Sequence, residues 1–333
     1  MSRTILVLVG GFLGAGKTSL ILAAAHMLEQ RGIRAAVILN DQAGSLVDTE
    51  LARRRDVSVD QVTGGCFCCR FHDLAAAAER LLDANPAVIF AEPVGSCTDI
   101  AATVVQPLVR LYGGRLHVAP FTVLVDPSSA VQHECDDLAY LYGKQIEEAD
   151  LVRTTKADLH PEAQISARTG QGIVEWLQEV LAGTTTGGSR LIQVDYGCYA
   201  RAEAVLGWLN FEGMLRSKPA APAEVVGPLL DKIVALSCAA GVVLVHCKAI
   251  GSAATGYVKA AVTANSLEPD VEGDLTASPS TRHRVLLNLR GLGDPDSLRR
   301  IVDEALDSLP GEWLERRMDS FRPAAPVPAY RPG

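Results

Sequence analysis

The chain has 333 residues, 48% of them hydrophobic and 21% charged, which is ordinary for a globular protein with a sizeable core. A net charge of -8 excludes a broad positive surface for nucleic acid or an anionic membrane, so the expected ligands are small molecules, metal ions and proteins. Eight cysteines without a secretion signal favour reduced thiols in the cytoplasm, where clustered cysteines indicate metal or redox chemistry.

The first half of the chain alternates short apolar runs with segments of helical periodicity. Residues 4–9 lead into Gly-rich sequence and Lys17, which predicts a buried strand and then a helix rather than a signal peptide. The runs RAAVILN, PAVIFAEP and FTVLVDP continue the pattern, with helical segments between them. This alternation predicts an α/β fold of the P-loop NTPase type, with a mostly parallel sheet covered by helices.

The pattern breaks at TTTGGS, residues 184–189, which predicts a linker after a first domain at residues 1–186. Residues 190–315 are expected to form a smaller α+β domain, for which a ferredoxin-like arrangement is one candidate. The Pro-rich tail, residues 321–333, is expected to be mobile. No transmembrane segment is predicted, because the uncharged run at residues 233–247 is too short to span a bilayer.

The segment GFLGAGKT matches the phosphate-loop pattern G-x-x-x-x-G-K-[ST] between a predicted strand and a predicted helix. Its glycines let backbone N–H groups surround phosphate oxygens, Lys17 reaches the terminal phosphates, and the Thr18 hydroxyl is a ligand for Mg²⁺. The predicted phosphate-binding residues are Gly11, Gly14, Ala15, Gly16, Lys17, Thr18 and Ser19.

The segment TKAD indicates which base is bound. Asp158 at a strand end could accept hydrogen bonds from both N1–H and N2–H₂ of guanine, a donor pair that adenine lacks. The short segment ISA, just downstream, could close the other side of the base, although a four-residue match alone also fits a surface loop. The predicted base-binding residues are Thr155, Lys156, Asp158, Ser166 and Ala167.

The segments GFLGAGKT, NDQAG, GGCFCC, EPVG, TKAD and SARTGQG, in this order, resemble the CobW-type GTPases, relatives of the UreG and HypB metal-insertion GTPases. The resemblance covers roughly residues 1–185. It implies a cytosolic GTPase that handles a transition metal or a metal-containing cofactor. Intrinsic turnover is expected to be slow, because no side chain is a clear catalytic base.

The resemblance also implies two switch regions. Asn40 and Asp41 match the first, and Glu92 and Gly95 match the second. Glu92 could hold Mg²⁺ through water, the Gly95 amide could report a γ-phosphate, and Asp41 could position the attacking water. The candidate catalytic residues are therefore Lys17, Asp41 and Glu92.

Two departures from the family pattern bear on function. Thr155 stands where the family usually has Asn, which puts the strictness of guanine recognition in question. The His-rich stretch of many family members is absent from the second half, where His246 and His283 are the only histidines after the linker.

Cys66, Cys68 and Cys69 are the candidate transition-metal ligands. Three thiols at this spacing are too few for a closed structural zinc site, and adjacent cysteines tend to point apart, so His72, a carboxylate or water is expected to complete the shell. Thiolate ligands favour zinc, then cobalt, then nickel. Three buried apolar thiols or a redox switch are alternatives, and Cys97 is predicted to be a core residue rather than a ligand.

The favoured hypothesis is a GTP-hydrolysing metallochaperone that binds zinc or cobalt at the cysteines and delivers it, depending on the nucleotide, to a client protein or cofactor pathway. The alternatives are a GTPase that gates the loading of a cobalamin-dependent enzyme without carrying free metal, a P-loop small-molecule kinase, and a non-catalytic binding or redox module. The expected cofactors are GTP or GDP, Mg²⁺ and Zn²⁺ or Co²⁺, and a homodimer is one candidate assembly.

Overall fold

The computed structural model describes residues 3–42, 47–55, 57–129, 134–263 and 266–330. The chain forms two compact units. The first comprises the described residues within 1–44, 48–202 and 325–333, and the second those within 45–47 and 203–324. Among the described residues, none of the helices combines the length and the apolar character that crossing a bilayer requires.

The first unit alternates strands and helices, as the sequence predicts. The first seven elements are β1 (Thr4–Gly11), α1 (Lys17–Glu29), β2 (Ala35–Asp41), α2 (Val47–Arg54), β3 (Ser58–Thr63), α3 (Phe71–Asp83) and β4 (Val88–Glu92). A π-helical turn (Ala101–Val105) precedes α4 (Gln106–Tyr112), β5 (Leu116–Val118), β6 (Thr122–Val125), α5 (Asp136–Glu148), β7 (Leu151–Thr154), α6 (Ile173–Leu181) and α7 (Tyr196–Val205).

The described strands of this unit pair in the order β3-β2-β4-β1-β6-β7, with β5 also paired to β1, and every pairing is parallel. The central strands β1, β2 and β4 are almost wholly buried, in keeping with their continuous apolar sequences. Because parallel strands end at one edge of the sheet, the segments that follow β1, β2, β3 and β4 lie at that edge, which is where α/β proteins bind their ligands.

The boundary between the units differs from the predicted linker. The chain passes from one unit to the other within α7, between Ala202 and Glu203. The predicted linker packs on the first unit instead, since Gly187 N–H donates to Val118 O at 2.9 Å and Gly188 N–H donates to Asp150 Oδ2 at 2.7 Å. The carboxylate of Asp150 thus captures a Gly-rich segment whose composition alone indicates flexibility.

The second unit is an α+β domain. Its elements are β8 (Leu206–Ala220), α8 (Pro222–Ala239), β9 (Val243–Ala253), β10 (Gly256–Thr263), β11 (Ser266–Gly273), β12 (Ser280–Leu292), α9 (Pro295–Asp307) and β13 (Glu312–Phe321). The described strands form an antiparallel sheet in the order β11-β10-β9-β12-β8-β13. Apolar residues of α8, α9 and the sheet share one core, which includes Phe211, Leu229 and Leu298. With six strands rather than the four of a βαββαβ unit, the ferredoxin-like assignment stays a prediction.

Candidate functional site

The turn between β1 and α1 has the backbone that a phosphate-binding loop requires. Gly14 and Gly16 have φ angles of 83° and 87°, in the left-handed region that glycine tolerates best. Gly11 has a φ of 126°, and a Cβ atom there would lie 2.4 Å from the carbonyl oxygen of Leu124 on β6. These glycines let the chain turn sharply into the N-terminus of α1, where backbone N–H groups favour an anion.

Lys17 lies inside this turn. Its Nζ donates hydrogen bonds to Gly11 O at 2.9 Å and Phe12 O at 3.1 Å, and it lies 4.0 Å from Glu92 Oε1. The Thr18 hydroxyl donates to the same carboxylate oxygen at 3.1 Å. The structure therefore brings three sequence-predicted residues together, a cation beside two oxygen donors of the kind that Mg²⁺ prefers.

Gly95, the glycine of the second predicted switch, lies against the phosphate-binding turn. A Cβ atom on Gly95 would lie 2.9 Å from Lys17 Nζ and 3.0 Å from the backbone nitrogen of Leu13. The side-chain amide of Gln145 on α5 donates to Gly95 O at 2.9 Å and to Cys97 O at 2.8 Å. The close approach of this loop to Lys17 thus depends on a residue without a side chain.

The predicted base-recognition segments meet next to the end of β7. Ser166 Oγ donates to Asp158 Oδ1 at 2.6 Å, and Thr155 pairs with Ile165 in a parallel bridge. The Thr155 hydroxyl also donates to Ala15 O at 3.0 Å, which ties this segment to the phosphate-binding turn. Thr155 and Ser166 are buried, whereas Asp158 is exposed at the surface of the unit.

Asp126, which directly follows β6, is not among the site residues predicted from the sequence. Its buried carboxylate lies 2.6 Å from Lys156 Nζ and accepts hydrogen bonds from the backbone and hydroxyl of Ser128. Burial works to raise the pKa of Asp126, but the Lys156 ammonium and the Ser128 donors outweigh it and hold that pKa below its ordinary value. Lys156 has a positive φ of 61°, so its backbone is strained while its side chain is fixed. An acidic residue at the end of an apolar strand, as in FTVLVDP, is the signal that could have revealed it.

The remaining predicted residues adjoin these contacts in the chain. Ser19 is half-buried in the first turn of α1, Ala167 is half-buried after Ser166, and Asp41 is half-buried at the end of β2. Their roles stay predictions.

Asn40, from the first predicted switch, holds the turn that carries the cysteines. Its Nδ2 donates to Val62 O at 3.0 Å and Gly65 O at 2.8 Å, and its Oδ1 accepts from Phe67 N–H at 2.8 Å. Gly64 and Gly65 have φ angles of 78° and 151°, which permit the reversal after β3. One amide side chain therefore fixes the turn on both sides of its first cysteine.

The three cysteines converge. The Sγ atom of Cys66 lies 2.7 Å from that of Cys68 and 3.2 Å from that of Cys69, and all three sulfurs lie within 4.8 Å of one another. The expectation that the adjacent Cys68 and Cys69 point apart is wrong, since their Sγ atoms are 3.8 Å apart. That expectation assumed an extended chain, whereas the segment is a tight turn in which Cys69 N–H donates to Cys66 O at 3.0 Å.

The pKa values of the three thiols are shifted in opposite directions. Hydrogen bonds from Cys68, Cys69 and Cys97 lower the pKa of Cys66 well below its ordinary value, against the effect of burial. Donation to Cys66 raises the pKa of Cys68 well above its ordinary value and that of Cys69 to about 11. A metal ion bound by these cysteines as thiolates would displace the protons that the thiols carry.

Cys97 adjoins the group and His72 does not. Cys97 is 4% exposed and its thiol interacts with those of Cys66 and Cys68, although it is not one of the three sulfurs that all lie within 4.8 Å of one another. Cys97 is buried, as predicted, and it also adjoins the thiols. His72 is exposed, lies outside the three-thiol group, and has its ring centroid 5.9 Å from that of Tyr330.

The Pro-rich tail packs beside the cysteine turn. Val327 N–H donates to Cys69 Sγ at 3.2 Å, and Ala329 N–H donates to Cys68 O at 2.9 Å. The Tyr330 ring meets the Phe71 ring edge-on, with centroids 4.8 Å apart. Residues 325–330 thus differ from the mobile tail that the sequence predicts, because fixed proline φ angles reduce the entropy lost on ordering. Residues 331–333 lie outside the described part of the chain.

A buried carboxyl group on α5 holds the segment after Gly95. Glu148 Oε1 accepts from the Thr98 hydroxyl at 2.9 Å, and its Oε2 accepts from Ala101 N–H at 3.1 Å, at the start of the π-helical turn. Burial raises the pKa of Glu148 to about 8, although the bonds from Ala101 and Thr98 oppose the shift. Together with Gln145, Glu148 anchors the second predicted switch to α5.

A phosphate-binding turn at the end of β1, a carboxylate at the end of β4 and a thiol group between them define a P-loop nucleotide-binding protein with a candidate metal site. Residues 5–178 match the family described as CobW/HypB/UreG, nucleotide-binding domain. The chain therefore belongs to the CobW/HypB/UreG family of P-loop GTPases.

Similar proteins include the zinc chaperone YjiA of Escherichia coli (strain K12), which is 41% identical over 85 residues. That match spans 25% of this chain and 26% of the length of YjiA. The crystal structure of Zn(II)-bound YjiA GTPase from E. coli aligns over 93% of this chain and 99% of its own, with 16% identity and a TM-score of 0.33. The hydrogenase maturation factor HypB from Archaeoglobus fulgidus aligns over 54% of this chain and 89% of its own, with 21% identity and a TM-score of 0.38.

Replacing Gly95→Ala is expected to lower GTP affinity and turnover by about tenfold or more, which equals about 1.4 kcal/mol. The added Cβ would lie 2.9 Å from Lys17 Nζ and must displace it. The matched control is Gly143→Ala on α5, where a Cβ atom meets nothing within 4 Å and helix propensity improves. Nucleotide titration and steady-state turnover measure both variants, and wild-type behaviour of Gly95→Ala would contradict the assignment.

Replacing Glu148→Gln is expected to flatten the dependence of stability on pH. The folded-state pKa of about 8 lies above the ordinary value of 4.5. Glu148 therefore stabilises the fold fully below pH 4.5, and this stabilisation declines as pH rises and is lost once pH passes 8. Relative to the variant, the free energy of unfolding of the wild type should fall by up to about 1.4 kcal/mol per pH unit between pH 4.5 and 8.

Urea unfolding at several pH values measures this effect. Glu147→Gln on the same helix is the control, because the Glu147 side chain is 54% exposed and pairs with Lys144. A difference between Glu148→Gln and wild type that is constant with pH would show that this carboxyl group does not titrate in the window.

Replacing Tyr330→Ala is expected to release the tail. Loss of the ring contact with Phe71 should speed amide hydrogen exchange at Val327 and Ala329 several-fold, since edge-on aromatic pairs contribute about 0.5–1.5 kcal/mol. Leu159→Ala, at an exposed position of the same unit, should leave this exchange unchanged. The packed tail is disproved if the wild-type amides of Val327 and Ala329 already exchange at the rate of an unstructured chain.

Proposed function

We propose that the protein is a GTP-hydrolysing metallochaperone that binds zinc or cobalt through Cys66, Cys68 and Cys69 and releases it to a client in a nucleotide-dependent way. The observation that carries this proposal is the placement of three converging thiols on a turn that is held by Asn40, a residue of the first predicted switch. The similarity to a zinc chaperone supports zinc as the first metal to test.

The nucleotide-binding part of the mechanism rests on five residues. Lys17 and the turn around it would bind the phosphates, and Gly95 would register a γ-phosphate, because its backbone lies against Lys17. Thr18 and Glu92 would hold Mg²⁺, whose chemistry is to neutralise charge on the β- and γ-phosphates. Asp158, with its carboxylate accepting a bond from Ser166, would receive the guanine N–H donors.

Hydrolysis is expected to be slow without a partner. Asp41, at the end of β2, is the residue proposed to position the attacking water, with Lys17 and the backbone amides stabilising the transferred phosphoryl group. A bound metal or a client that orders the end of β2 would therefore accelerate turnover. A slow intrinsic rate suits a switch, because the lifetime of the GTP state then sets how long the cargo is held.

The metal end of the mechanism follows from the chemistry of the thiols. Sulfur donors favour Zn²⁺ and Co²⁺ over Mg²⁺, so the two metal sites would not compete for one ion. Each cysteine binds Zn²⁺ as a thiolate, so the protons that the thiols still carry pass to solvent when the ion binds. Buried sulfurs close together also repel one another once deprotonated, which a divalent cation relieves.

The nucleotide site and the metal site would be coupled through Asn40, the penultimate residue of β2. Its three hydrogen bonds tie the turn of the cysteines to the end of β2, so a displacement of the first switch moves the sulfurs as well. Metal affinity then depends on the nucleotide, and by reciprocity metal changes GTP affinity by the same factor, typically about 1–3 kcal/mol of coupling.

The test is a chelator competition with Zn²⁺ and Co²⁺ on reduced protein that is nucleotide-free, bound to Mg-GDP, or bound to a non-hydrolysable GTP analogue with Mg²⁺. The GTP-analogue state is expected to bind metal at least several-fold more tightly than the GDP state. Replacing Cys66, Cys68 and Cys69 with Ser should abolish this binding. Replacing the exposed Cys238→Ser should not.

The Asn40→Ala variant tests the coupling itself. It keeps all three thiols but removes the contacts that hold their turn, so metal should still bind while the difference between nucleotide states shrinks. Equal metal affinity in every nucleotide state of the wild type would refute the proposal. A stable GTP-dependent complex with a corrinoid enzyme would then favour a loading gate, and preferential use of ATP with a phosphorylated product would favour a kinase.

The client, the cytoplasmic location and a homodimeric state belong to the proposal as well. Reduced thiols are required for metal binding, which is consistent with a reducing compartment. Delivery is expected to follow hydrolysis, when the switch regions release the turn that carries the cysteines.

A further inference from the structure

Cys97 lies where two functional segments meet. It follows Gly95 by two residues, in the loop that joins β4 to the π-helical turn, and its side chain is 4% exposed. Its thiol contacts the thiols of Cys66 and Cys68, which belong to a different loop at the same edge of the sheet. The Cys97 thiol therefore adjoins the group from a second loop, outside the three sulfurs that all lie within 4.8 Å of one another.

The topology explains this contact. β3, which leads into the cysteine turn, and β4, which leads into Cys97, are the two neighbours of β2 in the sheet. The loops that follow them leave the same edge and flank the end of β2, where Asn40 lies. A residue 28 positions away from Cys69 in the sequence is therefore adjacent to the group in space.

We propose that Cys97 is the fourth sulfur ligand of the transition-metal site, and this proposal rests on the metallochaperone function proposed above. Zn²⁺ and tetrahedral Co²⁺ take four donors, and the described residues include no His, Asp or Glu side chain that joins the three-thiol group. When the ion enters, four metal–sulfur bonds form and the protons of the thiols pass to solvent. No electron is transferred.

This ligand would also connect the cargo to the second switch. The amide of Gln145 donates to the carbonyls of both Gly95 and Cys97, at 2.9 and 2.8 Å, so the two residues are held by one side chain. Gly95 lies against Lys17, and a displacement there is passed over two residues to the Cys97 sulfur. The GTP state would thereby offer four sulfurs and the GDP state three, which makes release a loss of one ligand.

The experiment counts coordinated sulfurs in the GTP-analogue state. Co²⁺ is titrated into wild-type protein, Cys97→Ser and the control Cys238→Ser, and the thiolate-to-cobalt charge-transfer absorbance is read at saturation, since this absorbance grows with each sulfur bound. Cys97→Ser should lose about one quarter of it, one sulfur in four. Its affinity for Zn²⁺ should fall about 10–100-fold, and its preference for the GTP-analogue state should weaken.

X-ray absorption of the wild type loaded with Zn²⁺ and the GTP analogue counts the sulfurs without any substitution, so the test does not depend on the folding of Cys97→Ser. Four sulfurs support the proposal. Three sulfurs, or a Cys97→Ser variant with wild-type absorbance and affinity, overturn the role of Cys97 while leaving the three-thiol metallochaperone in place. Absence of metal binding by the wild type in every nucleotide state overturns both proposals.

Discussion

The side-chain amide of Asn40 is the contact on which the arrangement of the site depends. The Gly64–Gly65 turn has no regular structure of its own, yet it must hold three thiols with their sulfurs within 4.8 Å. Asn40 satisfies two carbonyls and one N–H of this turn, at distances of 2.8–3.0 Å, from a position that is itself 8% exposed. Buried hydrogen bonds of this kind are costly to leave unmade, so the turn and the end of β2 move together.

The second constraint is electrostatic. The cysteine group is mostly buried, and hydrogen bonds from the neighbouring thiols, chiefly that of Cys68, lower the pKa of Cys66. Arg70, which the chain places beside the group, instead pairs with Asp73 at 2.6 Å. A divalent cation is therefore the species that can neutralise several of these sulfurs at once, and the tail contributes a further N–H donor to Cys69.

Helix α5 holds the loop that follows β4. Gln145 holds the carbonyls of Gly95 and Cys97, and Glu148 holds Thr98 and Ala101. The segment that approaches Lys17 is thus held by hydrogen bonds with two buried polar side chains of α5. Such a segment can shift as a unit but cannot easily deform, which is the property expected of a switch.

The amino-acid sequence was sufficient to predict the phosphate-binding turn, the alternation of strands and helices and the family. These features depend on local backbone requirements and on hydrophobic periodicity. Other contacts are visible only in the folded chain. Cys97 adjoins the thiols and Asp126 pairs with Lys156. Gly187 and Gly188 pack on the first unit, and the tail packs beside the cysteine turn. Each of these contacts joins residues that are far apart in the chain. Composition and spacing report what a segment favours alone, whereas strand order decides which segments meet.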